Sequence, residues 1–105
     1  MNIIRMNDIK GFRTQTGVWA KQLLKHKNVT VMNINLQPGD FIPEHAVPVD
    51  VFFYVVAGKG TLKIGEEEAV VQITDIITCP PNTMMSLKAD QGEKFIVLNI
   101  KTPSL

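Results

Sequence analysis

The chain has 105 residues, of which 45% are apolar and 20% charged, and a net charge of +1. That is the size and composition of one ordinary globular domain, long enough to bury roughly two thirds of its unfolded surface. The near-neutral balance argues against duplex nucleic acid or an anionic membrane as partner, since both need clustered Lys and Arg.

The opening MNIIRMNDIKG lacks the apolar core and small-residue cleavage site of an export signal. No apolar run approaches the roughly 18 residues of a membrane span. The single cysteine, Cys79, excludes an internal disulfide, and a cytoplasmic protein with a reduced thiol is expected.

In chain order, residues 1–16 form an N-terminal segment in which IRMNDIKGF has room for one helical turn at most. Strand signals then run from about residue 17 to 101. GVWAKQLLK comes first. VTVMNINL follows, with Met32, Ile34 and Leu36 on one face and Asn33 and Asn35 on the other. Gln37-Pro38-Gly39-Asp40 has the proline and glycine placement of a type II turn.

After His45 come VFFYVVA, GTLKIG, EAVVQI, DIITC, TMMSLK and EKFIVLNIK, separated by Gly58, Gly60, Gly65-Glu66, Pro80-Pro81-Asn82 and Asp90-Gln91-Gly92. Many short strands at roughly 8–12-residue spacing predict an all-β sandwich or barrel. No segment gives an amphipathic helix, a repeat or a linker, so one domain spans 1–105.

The run Val51 to Ala57 is apolar on both faces, Val51, Phe53 and Val55 on one and Phe52, Tyr54 and Val56 on the other. One face fits a barrel interior. The other would be a costly exposed patch at about 25 cal/mol per Å² of apolar surface. It calls for a second layer, either residues 1–25 or another copy of the chain, and a homodimer is the expected assembly.

The stretch PGDFIPEHAVPVDVFFYVVAGKGTL resembles the first cupin motif: Gly39, then five residues, then His45, with Gly58 in register further on. TDIITCPPNTMM, from Thr74 to Met85, resembles the second motif. The resemblance covers about residues 29 to 100. It implies a small cupin-type double-stranded β-helix, a jelly roll with its pocket inside the barrel.

Metal-holding cupins use two histidines and a glutamate from the first motif and a histidine from the second. By register those positions are His45, Val47, Val51 and Met85. Valine has no lone pair to offer, and the methionine thioether suits soft ions only. A catalytic centre needs about three protein ligands, so no metal or other cofactor is expected. A soft site of His45, Met85 and Cys79 is the one metal alternative. Asp50 and Glu44 are each one residue off register, which turns a strand side chain to the other face. Cys79 otherwise reads as a small buried apolar residue.

Same-parity positions give a pocket lining of His45, Val47, Val51, Phe53, Val55, Thr83, Met85 and Leu87, which Asn33 or Asn35 can join. This is the make-up of a small-molecule site, although the same residues can simply fill the barrel. The expected function is binding or sensing of a small apolar or amphiphilic molecule, or a structural dimer module. The alternative is a cupin-type isomerase or oxygenase, with His45 as general base beside Asp50, Glu44 or Tyr54. No room remains for a DNA-binding helix-turn-helix.

Overall fold

A computed structural model describes residues 1–105. One short 3-10 turn, Met6–Asp8, precedes nine strands: β1 (Phe12–Arg13), β2 (Trp19–His26), β3 (Val29–Leu36), β4 (Phe41–His45), β5 (Asp50–Ile64), β6 (Glu67–Gln72), β7 (Ile76–Cys79), β8 (Met85–Ala89) and β9 (Phe95–Thr102). All pairings are antiparallel, in the order β1-β2-β3-β9-β5-β8-β4, with β6 and β7 each paired to β5 alone. The sheet curls into a jelly-roll barrel. No helix is long and apolar enough to cross a membrane.

Strand β5 organises this barrel. Its first half pairs with β7 and β9, and its second half with β6 and β8. VFFYVVA and GTLKIG, expected as two strands split at Gly58 and Gly60, are therefore one. The join is a bend, with a register shift against β9 between Val55 and Ala57. Gly58 sits there at φ +71°, and any Cβ on it would collide with the Lys94 carbonyl. A Cβ on Gly60 would strike the ring of Phe95. Two glycines thus let the strand turn the corner without ending, which a side chain in the left-handed region would oppose.

The core follows from alternation. Val51, Phe53 and Val55 pack inward with Val18, Leu36, Leu62, Met85, Leu87, Phe95 and Val97. The turn at Gln37–Asp40 forms as expected, with Gly39 at φ +84° and the Asp40 N–H donating to the Gln37 carbonyl at 2.9 Å.

Three details depart from the pattern. The alternation puts Asn33 on the outer face, yet it is 1% exposed. Its amide donates to the Val97 carbonyl at 3.2 Å and its oxygen accepts from Asn35 at 3.0 Å, so burial leaves nothing unpaired. Neither asparagine faces the interior, so neither joins a lining there. Lys21, opposite Asn33 on β2, donates to the Met6 carbonyl at 3.0 Å and ties the N-terminal segment across this face.

Second, FIPEH forms strand β4, which pairs with β8 alone; an edge position tolerates Pro43. Third, β2 does not lie over Phe52, Tyr54 and Val56. It is in their own sheet, separated from β5 by β3 and β9, and those three side chains stay half-buried.

The bend yields a prediction. Gly58→Ala should lose more than about 2 kcal/mol of stability, because it adds both left-handed strain and a backbone collision. Urea denaturation would measure it, and a midpoint equal to that of the parent protein would show that β5 does not need the glycine.

Candidate functional site

Register places the expected site residues at one end of the barrel. On β5, Val51 is flanked by Cys79 on β7 and Lys101 on β9, and Lys101 is in turn opposite Thr30 on β3. On the facing strands, Met85 lies opposite His45 on β4 and Ile64 on β5. Directly opposed residues share a face. The Pro80–Met84 turn joins the two groups, and its Asn82 N–H donates to the Val47 carbonyl at 2.8 Å.

The eight residues read as a lining are thus brought together, but not around an open space. Val51, Phe53, Val55, Met85 and Leu87 are core side chains, and Val47 packs against them. Thr83 is half-buried and its hydroxyl donates to the Pro81 carbonyl at 3.3 Å. His45 is exposed, with Nδ1 3.1 Å from the Pro43 carbonyl. Of the acids considered beside it, Glu44 turns to Lys63 at 3.8 Å, Asp50 is exposed, and Tyr54 belongs to the outer face. His45 therefore has no orienting acid.

The positions that correspond to a cupin metal centre do not fit a divalent ion. His45 is exposed at the end of β4, Val47 and Val51 carry no donor, and Met85 is 1% exposed among apolar neighbours. No three His, Cys, Asp or Glu side chains converge anywhere in the chain. Cys79 is buried; its thiol lies 3.6 Å from the Thr83 carbonyl and 3.7 Å from that of Pro80. Burial pushes its pKa up, so it stays a thiol and a poor ligand or nucleophile near neutrality.

The open space lies beside these residues. Strands β6 and β7 pair only with β5 and leave a gap between them, a cleft of about 500 Å³. Leu62 and Val71 form its buried floor, Ile64 and Ile77 its half-buried walls, and Ala69 and Glu67 stand at its exposed rim. The cleft has the volume of a small-molecule site.

Two functional candidates escaped the sequence reading. Asn99 and Lys101 share the inward parity of β9 with Phe95 and Val97. Asn99 is 4% exposed, and Lys101 Nζ donates to its Oδ1 at 2.7 Å. Burial lowers the Lys101 ammonium below the usual lysine range. The signal was present in FIVLNIKT, where two polar residues interrupt the inward positions of a core strand.

An all-β jelly roll with this motif geometry defines a class of small barrel proteins. The cupin domain family profile matches residues 32–101, two thirds of the 105-residue chain, and the protein belongs to that family.

Solved structures agree in fold. An RmlC-like cupin from Shewanella frigidimarina superposes at TM-score 0.87 with 16% identity, over 95% of this chain and 88% of that one. KdgF from Halomonas sp. gives 0.89 and 16%, over 99% and 96%. The polyketide cyclase RemF from Streptomyces resistomycificus gives 0.88 and 15%, over 99% and 80%. No curated protein sequence matches the chain.

Lys101 carries a pH prediction. A lysine whose folded pKa is lowered costs stability while it is charged, and that cost fades as pH rises through the folded pKa toward the unfolded one. Lys101→Met should therefore raise the melting temperature near neutral pH. The advantage over the parent should shrink as pH climbs into the lysine range, which paired thermal melts across that range would check.

Proposed function

We infer that this cupin is a cytoplasmic small-molecule binding protein that works without the family's usual metal centre. It holds an apolar or amphiphilic molecule at the open end of the barrel. The observation that carries this reading is the cleft between β6 and β7, about 500 Å³ in volume with an apolar floor. It opens beside the positions where the family places its metal ligands. Those positions are occupied by valine, valine and methionine, and the one histidine has no partner for acid–base work.

Binding gains from the area removed from water, about 25 cal/mol per Å² before ordering costs. An apolar probe should therefore saturate the cleft. A neutral naphthylamine dye titrated by fluorescence is expected to bind one per chain, and Ala69→Trp, which fills the cleft from its exposed rim, should weaken it at least about tenfold. His45→Ala should leave the affinity unchanged. Dye binding insensitive to Ala69→Trp would place the ligand elsewhere, and a turnover abolished by His45→Ala would favour the isomerase or oxygenase alternative.

The same reading includes a homodimer, supported by the outer face of β5. Phe52, Tyr54 and Val56 remain half-buried, and Ile76, opposite Tyr54 on β7, is 64% exposed. A second copy would cover this apolar band. Sedimentation should show a dimer that Tyr54→Lys converts to a folded monomer; a parent protein monomeric at high micromolar concentration would refute it.

A further inference from the structure

We propose that Lys101 and Asn99 form a binding point for the carboxylate of a small organic anion at the open end of the barrel. Nothing in the fold requires an ammonium there. Its register neighbours are Val51 and Thr30, and the next inward residue on β5 is Phe53. No carboxylate lies within ion-pair distance of Lys101, since the one salt bridge of the chain is Lys63 to Glu44. The titratable group that shares this inner face is Cys79, on the far side of Val51, and burial keeps it neutral. A lysine that merely shielded its stem would end in bulk water. This one turns back along its own strand to Asn99.

Asn99 supplies the second donor. Its Oδ1 accepts from Lys101, while its Nδ2 donates to no protein group. Every side-chain nitrogen or oxygen sealed from solvent has a partner, so Nδ2 is reached by water although the residue is 4% exposed. An ammonium and an amide N–H therefore stand next to one another with no acceptor claimed by either beyond their mutual contact.

A carboxylate offers one oxygen to each. One cation balances one carboxylate, whereas a phosphate dianion would leave charge uncompensated in a half-buried site. Thr30 is not a third donor, because its hydroxyl is already paired with that of Ser104 in the C-terminal tail.

The inference shares with the proposed function only the end of the barrel where the ligand sits, and the test separates them. Acetate, hexanoate and hexanol are titrated into the 15N-labelled protein, with ionic strength fixed by chloride, and the Asn99 side-chain amide and the Val51 and Thr30 backbone amides are followed. Acetate and hexanoate should give saturable shifts at these groups. Lys101→Met should weaken both at least about tenfold, and Lys101→Arg should retain them.

Asn99→Asp provides an independent variant. It places a carboxylate against the ammonium and should block the site to the same extent. Carboxylate shifts no larger than those of chloride, or an affinity unmoved by Lys101→Met and Asn99→Asp, would overturn the proposal. Hexanol filling the cleft without any carboxylate-specific shift would do so while leaving the apolar reading intact. Acetate binding without hexanol would support the anion point and count against the apolar cleft.

Discussion

The structure depends on one strand that belongs to two parts of the sheet. β5 carries Val51, Phe53 and Val55 into the core from one part and Leu62 from the other. It can do so only because Gly58 and Gly60 give the chain room to bend against Lys94 and Phe95. Every neighbour takes its position from that path. β7 and β9 flank the half before the bend, β6 and β8 the half after it, and the β6–β7 gap exists because each pairs with a different half. The cleft is thus a consequence of the bend rather than a separate feature.

The same geometry explains what this barrel has done with its family inheritance. Register brings the metal-ligand positions together at one end, as the cupin frame dictates. The side chains there are chosen for packing: Val51 and Met85 are buried among core residues, and His45 is left on the surface. Those four positions offer a divalent ion one imidazole and no second hard donor, and no three His, Cys, Asp or Glu side chains converge nearby. The polar pair that interrupts the core lies elsewhere in the sheet, at Asn99 and Lys101 on the inward face of β9. There the Lys101 ammonium donates to the Asn99 amide oxygen beside Val51 and Thr30.

Much of the fold was legible because its signals are local. Alternation in VTVMNINL, the proline-glycine turn after it, and the two-faced run VFFYVVA each report a strand or turn within a few residues. The motif resemblance then fixed their order in space. What the sequence hid was set by long-range pairing. Gly58 and Gly60 read as a break, and only the collision with Lys94 and Phe95 shows that they sustain a bend. Asn33 reads as a polar residue on the face opposite Met32, Ile34 and Leu36 and open to a pocket lining, and its burial depends on partners on β9 and β3. Asn99 and Lys101 drew no reading from the sequence, since their parity matters only once β9 is known to pair with β5. The cleft beside β6 and β7 was hidden for a similar reason, because interior parity does not tell a filled barrel from a hollow one.

The central claim is that this cupin acts at its open end without a metal held by the family positions. Its most direct test is elemental mass spectrometry on untagged protein purified without chelator, compared with Met85→Leu and His45→Ala variants. Transition metal should lie well below one atom per chain, with no difference among the three proteins. Near-stoichiometric metal in the parent that falls when His45 is removed would contradict it, and would mean that His45 has ligand partners the folded chain assembles only around the ion.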